Sequence, residues 1–194
     1  MTNRPLPAPR LASDRSVEFA IATRRTRRTF LPEPLSEDQV AQLLWSAQGI
    51  TDAGGGLRAA PSAMESYPLE LYVATGEGVW HYLPAAHALE QRSRQDIRPS
   101  IRAGAHDQES ITSAPVVFLF SAVYARAAAK LGPGSEPYVH MDLGHAAQNL
   151  LLQATALDLA GVPIAWLEAD LIRTAFDLPE ELVPLYLVPV GRPA

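Results

Sequence analysis

Apolar and polar residues follow two rhythms along this chain, one with the period of a helix and one with the period of a strand. Val17, Phe19, Ala20 and Ile21 suggest a short helix from Ser16 to Thr23, after which Pro32 and Pro34 break the chain. Ser36-Glu37-Asp38-Gln39 is a capping box, and Val40, Leu43, Leu44 and Ala47 form an apolar stripe behind it. An amphipathic helix therefore runs to about Gly49. Thr51 to Gly56 reads as a flexible loop, because Gly54-Gly55-Gly56 lacks the flanking strand, helix and spacing of a dinucleotide fingerprint. Prolines near both ends restrain the turn from Ala60 to Pro68. Leu69 to Thr75 and Val79 to Leu83, joined by Gly76-Glu77-Gly78, read as a hairpin.

Pro84 to Gln108 is polar and arginine-rich and reads as helical pieces without a recognisable site. Pro115 to Val123 is almost continuously apolar, the mark of a buried central strand. A short helix over Ala125 to Leu131 and the loop Gly132-Pro133-Gly134 lead to Ser135, a candidate cap for a long helix from Tyr138 to Ala160. That helix is apolar over most of its circumference, which calls for cover by a core or a subunit interface. Gly161 is read as its stop. Val162 to Leu167 reads as a strand, Asp170 to Phe176 as a short helix, and Val183 to Val190 as a final strand whose Pro184 and Pro189 suggest a sheet edge. Strands and helices do not alternate strictly, so the expected class is α+β. Residues 16–194 read as a single domain, preceded by a flexible tail over 1–15.

With 194 residues, 47% hydrophobic and 19% charged, the chain can bury a sizeable core. The formal net charge of -5 argues against a dedicated nucleic-acid binder. There is no cysteine, so disulfides and thiol redox chemistry are excluded, and any redox function must reside in a bound cofactor. Met1 to Arg10 lacks the apolar run of a signal peptide, and even Leu143 to Ala160 carries too many polar residues to span a bilayer. The expected location is cytoplasmic.

Against that acidic background, Arg24-Arg25-Thr26-Arg27-Arg28 places four arginines in five residues. Guanidinium forks around a hydroxyl suit a phosphate. A solvated basic turn or a nucleic-acid patch fits the spacing equally well. His140 and His145, five apart, point to different helix faces, so no metal pair is expected, and His145 reads as a buried, hydrogen-bonded histidine. Gln148 and Asn149 read as packing groups, Trp45 and Trp80 as core.

Four stretches, taken together, resemble the nitroreductase superfamily, and most closely its azoline-dehydrogenase (SagB-type) branch. They are Arg24 to Arg28, Pro61-Ser62-Ala63 continuing through Tyr67-Pro68-Leu69-Glu70-Leu71-Tyr72, Asp142-Leu143-Gly144-His145-Ala146-Ala147-Gln148-Asn149-Leu150, and Pro184 to Pro193. The resemblance implies a mainly antiparallel sheet flanked by helices, in an intertwined homodimer that binds FMN at its interface. It further implies that Arg24, Arg25 and Thr26 hold the FMN phosphate and ribityl chain, and that Arg28 lies by the pyrimidine edge. Pro61, Ser62, Ala63, Ala165 and Trp166 would then pass close to the ring, with Gly191 and Arg192 as further cofactor contacts. Lys130, the chain's single lysine, stands where that branch has a catalytic Lys-Tyr pair, but the next residue is Leu131. Met64, Glu65 and Trp166 depart from the family pattern where small residues are usual.

The implied function is an FMN-dependent oxidoreductase that moves hydride from NADH or NADPH to a small electron-poor acceptor, a quinone or a nitro compound. Azoline oxidation is not expected, because Leu131 cannot serve as acid or base. The alternative is a non-catalytic partner subunit whose flavin site Met64, Glu65 and Trp166 have closed.

Overall fold

The apolar run at 116–122 forms a strand in which all seven residues are buried, and the rest of the chain is laid against it. The computed structural model describes residues 3–52 and 54–194. In chain order the strands are β1 (Asn3–Pro5), β2 (Ile50–Asp52), β3 (Leu57–Arg58), β4 (Leu69–Thr75), β5 (Gly78–Leu83), β6 (Ala88–Ser93), β7 (Val116–Ala122), β8 (Ala160–Gly161) and β9 (Val183–Gly191). The helices are α1 (Val17–Thr23), α2 (Glu37–Gln48), α3 (Arg98–Ala103), α4 (Ser110–Ser113), α5 (Tyr124–Leu131), α6 (Glu136–Ala156) and α7 (Ala169–Phe176).

Seven strands form one antiparallel sheet in the order β1-β6-β5-β4-β7-β9-β8, and β2 pairs with β3 separately. Alternation along the strands gives the sheet two apolar faces. Leu71, Val73, Phe118, Phe120, Val188 and Val190 face Leu43 and Leu44 of α2 and Val139, Ala146 and Leu150 of α6. Tyr72, Ala74, Val117, Leu119 and Leu187 face Ile101 of α3, Ile111 of α4, and Ile172 and Phe176 of α7. Each large side chain so buried contributes roughly 1.5–3 kcal/mol relative to exposure.

Short-range hydrogen bonds set the starts of the first two helices. Ser16 caps α1 by accepting from the Phe19 N–H at 3.1 Å, and both halves of the Ser36/Gln39 capping box are present. Elsewhere the fold departs from expectation. Residues 3–10 are no loose tail: β1 pairs with β6, Leu6 is buried, and Gln42 bonds both backbone groups of Arg10. The polar stretch 88–93 is the strand β6, which a helical reading missed because its partners, β1 and β5, lie elsewhere in the chain. The stretch at 51–58 forms the small β2–β3 pair. Helix α6 ends at Ala156, with the turn completed by Asp158 at φ 57°, while Gly161 belongs to β8.

Strand β9 is interior, between β7 and β8, and of the expected strand from Val162 to Leu167 only the bridge from Ile164 to Leu187 forms, just after β8. Both prolines of β9 are nonetheless accommodated. The Pro189 carbonyl accepts from the Val162 N–H at 3.2 Å. A strand residue's N and C=O point the same way, so the missing donor of Pro189 faces this short neighbour and leaves the β7 ladder intact. Pro184 lies opposite Ser121, beside a register shift.

Gly191, at the end of β9, packs against Phe30 and Pro115. A Cβ there would stand 2.8 Å from Pro115 Cδ and 2.9 Å from Phe30 Cβ, so the close approach requires glycine. Gly191→Ala is therefore expected to destabilise the protein by about 1–3 kcal/mol through overpacking. Urea unfolding should show a lowered midpoint with an unchanged slope; an unaltered midpoint would show that the contact relaxes freely.

Candidate functional site

The arginine cluster follows α1, whose C-terminus frees the chain to run extended. Thr26 forms a parallel bridge with Gly161, and the Arg27 N–H donates to the Gly161 carbonyl at 3.4 Å. Gly161 in turn pairs with Val190, and Ala160 with Gly191. Backbone pairing thus gathers three distant stretches: Arg24 to Arg28, the segment leading to Ala165 and Trp166, and the end of β9. Arg24 is half-buried and Arg25, Thr26, Arg27 and Arg28 are exposed. The Arg25 guanidinium donates to the Ala22 and Arg24 carbonyls, at 3.0 and 2.7 Å. Among the described residues none of the four makes an ion pair. The Arg192 carbonyl accepts from the Leu31 N–H at 2.9 Å, and Arg192 is exposed in a cleft of about 760 Å³ that it shares with Arg10, Arg15 and Asp158 and that Arg24 and Arg28 do not line.

The second part of the site is the turn carrying Pro61, Ser62 and Ala63. Met64, Glu65 and Tyr67 have φ of 51°, 52° and 41°, the left-handed region that side-chain-bearing residues rarely occupy. Such positions cost on the order of 1–3 kcal/mol each and persist only where neighbours impose them. Here the neighbours are polar groups from α5 and α6. Lys130 Nζ donates to the carbonyls of Met64 at 3.0 Å and Glu65 at 2.9 Å. Arg126 donates to the Tyr67 carbonyl at 3.2 Å. The Ser62 hydroxyl accepts from the Tyr67 N–H at 2.9 Å and donates to Asp142 of α6. Burial pushes the Asp142 carboxyl up, opposed by the Ser62 hydroxyl and the Ala63 backbone.

Lys130, at the position of the expected catalytic lysine, is thus committed to two carbonyls of the turn. Sequence reasoning assigned no role to Asp142, Arg126 or Glu70. Asp142 had a usable signal, since it falls on the buried stripe of α6 formed by Val139, Leu143, Ala146 and Leu150, where an acid requires a partner. Glu70, at the foot of β4, pairs with Arg126, and its Oε2 lies 2.7 Å from His81 Nε2. Burial alone would raise the Glu70 carboxyl, but His81 and Arg126 overcome it and hold it below the usual carboxylate range.

Other expectations meet a different arrangement. His145 is exposed rather than buried, and His140 bonds the Tyr124 hydroxyl at 3.0 Å. Asn149 is packing glue as expected, donating to the Ala59 carbonyl at 3.2 Å. Trp80 is core, whereas Trp45 is half-buried beside a cavity of about 580 Å³. Met64 and Trp166, two of the departures that could close a site, are 68% and 70% exposed, and Glu65 is exposed as well. No helix among the described residues is long and apolar enough to cross a membrane.

The chain and its fold have known relatives. Residues 21–192 match the nitroreductase family. A candidate nitroreductase of Methanocaldococcus jannaschii is 34% identical over 182 residues, covering 91% of this chain and 90% of its own. Among solved structures, a candidate nitroreductase from Ralstonia eutropha matches with a TM-score of 0.90 at 28% identity, over 99% of this chain and 90% of its own. The NADPH:FMN oxidoreductase of Vibrio harveyi, solved with NAD+, shares the fold at a TM-score of 0.68 and 22% identity, over 91% of this chain and 68% of its own. The chain belongs to the nitroreductase family, and its mostly antiparallel sheet flanked by helices is the nitroreductase-like α+β fold.

The Glu70 cluster generates a prediction with a definite sign. Because its folded pKa lies below the ordinary 4.5, its stabilisation is complete above that value and fades as pH falls through the lower folded value. Glu70→Gln should lower stability at pH 7 by about 1–3 kcal/mol, the range for a lost charged hydrogen bond. The gap from wild type should narrow in acid. Denaturant unfolding at pH 7 and pH 3 checks this, and a gap independent of pH would refute it.

Proposed function

We propose that this protein is an FMN-dependent oxidoreductase in which a reduced nicotinamide, NADH or NADPH, serves a quinone or nitro acceptor. The observation that carries the proposal is the arginine segment: cationic side chains with no carboxylate partner among the described residues, fastened by Thr26 to the strand that leads to Ala165 and Trp166. The chemistry of this donor set fits a phosphate. Arg24, Arg25 and the Thr26 hydroxyl are assigned to the FMN phosphate and ribityl chain. Arg28 is assigned to the pyrimidine edge, where a cation stabilises negative charge. FMN, when bound, supplies the two-electron chemistry.

The remaining residues position and enclose. Pro61, Ser62 and Ala63 form a wall whose backbone is fixed from behind, so Lys130 acts through the turn and not on a substrate. Ala165 and Trp166 lie on the ring side, and Gly191 sets the separation of the strand end from Phe30. Arg192 is assigned as a further contact to the FMN phosphate. The commitment of Lys130 and the absence of a tyrosine after it both disfavour azoline oxidation, and so the azoline-dehydrogenase reading.

A homodimer completes the reading. Helix α6 leaves Tyr138 and Met141 exposed, and α1 leaves Val17 and Ile21 exposed, while α1 packs on α6. A second copy would cover these faces. The exposure of Met64, Glu65 and Trp166 favours an open site over the alternative of a closed, non-catalytic subunit.

The test is reconstitution with FMN, followed by absorption spectroscopy and anaerobic addition of NADPH. Saturable binding and bleaching of the flavin band are expected, and a protein that binds no FMN would establish the closed-site alternative. Arg24→Ala should weaken FMN binding by on the order of 2–5 kcal/mol, since it removes a contact to a dianion. Arg28→Ala should leave more flavin bound and shift its reduction potential to more negative values. Titration calorimetry and potentiometry distinguish the two; equal, negligible effects would remove the arginine cluster from the site.

A further inference from the structure

We propose that Trp166, backed by His106, is a stacking platform that makes the site selective for planar, electron-poor acceptor rings. The inference rests on the flavoenzyme reading above and deepens it. An indole is among the largest apolar groups a chain can bury, yet Trp166 remains 70% exposed. Its exposure is not looseness. The His106 ring lies parallel to it, with centroids 3.9 Å apart and an interplanar angle of 24°.

The backing ring is itself held. His106 stands at φ 53° in the turn after α3, a conformation that fixes where its side chain leaves the backbone. The Glu168 N–H donates to the Gly104 carbonyl at 2.8 Å, joining that turn to the start of α7. Gly104 allows the approach, because a Cβ there would come within 2.8 Å of Ile172 Cδ1. His106 Nε2 is 3.4 Å from Glu168 Oε1 but makes no hydrogen bond. The stacked indole and the nearby Glu168 carboxylate together hold the ring.

Trp166 is also joined through a short stretch of chain to the anchored arginine segment. It lies five residues beyond Gly161, the residue that pairs with both Thr26 and β9. The platform therefore extends from the segment that anchors the arginines. Indole presents a negative π-face, and aromatic pairs prefer offset or edge contacts that match their quadrupoles. A quinone or nitroarene, whose ring is electron-depleted, complements that face. An octahedral, non-planar acceptor does not.

The test uses the FMN-reconstituted protein with NADPH and two acceptors, menadione and ferricyanide. Trp166→Ala should raise KM for menadione about tenfold, with kcat less affected, as expected for loss of uniform binding. The ratio of kcat/KM for menadione to that for ferricyanide should fall by a similar factor. Trp166→Phe should restore most of the ratio. His106→Asn, which tolerates the left-handed backbone but removes the stacked ring, should give an intermediate fall. A second readout does not require turnover: menadione should quench tryptophan emission saturably in wild type and lose that phase in Trp166→Phe.

An unchanged acceptor ratio in Trp166→Ala would overturn the platform, and so would a Trp166 emission shielded from iodide, which would show it covered by a second copy. A rise in the KM for NADPH, with that for menadione unchanged, would reassign the platform to the nicotinamide and overturn acceptor selection. The fraction of FMN bound, read from the absorption spectrum, reports separately on the parent reading.

Discussion

A ladder of backbone pairing holds the site together: Thr26 to Gly161, Gly161 to Val190, Val190 to Val116. It runs from an exposed, strongly cationic segment to a strand whose every residue is buried. Four like charges in five residues repel one another and would favour an open, mobile segment in isolation. Pairing with the edge of the sheet fixes their backbone, so the charges are presented in a set order. Gly161 is central to this. A Cβ at that position would lie 3.0 Å from Leu151 Cδ2 and 3.1 Å from the Pro189 carbonyl, so a larger residue would push the strand off its neighbours.

The turn at 61–67 is held differently, by side chains and not by a ladder. Its left-handed residues are not glycines, so the conformation must be imposed from outside. The imposing groups are ionic: Lys130 and Arg126 donate to its carbonyls, and Asp142 accepts from Ser62. Arg126 is itself paired with Glu70, which ties the turn to the foot of β4. Tyr67 adds a fourth tether, since its hydroxyl accepts from the Arg58 N–H at 3.3 Å and the Arg58 guanidinium lies 4.6 Å from its ring centroid. A turn braced at so many points is held in one conformation.

These two parts divide the chemistry. The arginine segment concentrates positive charge, without carboxylate partners among the described residues, in a protein whose net charge is -5. The turn satisfies its own polar groups internally and offers shape. Trp166 belongs to the first part by connection and resembles the second in character, since its indole is fixed by a stacked neighbour.

By itself the sequence determined what short-range forces decide. Ser16 and Ser36 cap helices because their hydroxyls reach donors three residues away, and β4 and β5 follow from alternation and a glycine-flanked turn. The family was legible for another reason: four motifs in order constrain a fold more tightly than any periodicity. Only the tertiary structure decided that 88–93 is a strand, that β9 lies inside the sheet, and that residues 3–10 are fastened. Each depends on a partner far away in the chain. The same holds at the site, where Ser62 meets Asp142, Lys130 meets Met64 and Glu65, and His106 meets Trp166. A lysine or a serine carries no mark of which distant group it will satisfy, because that choice is made by the packing of α5 and α6 against the sheet, after the local elements have formed.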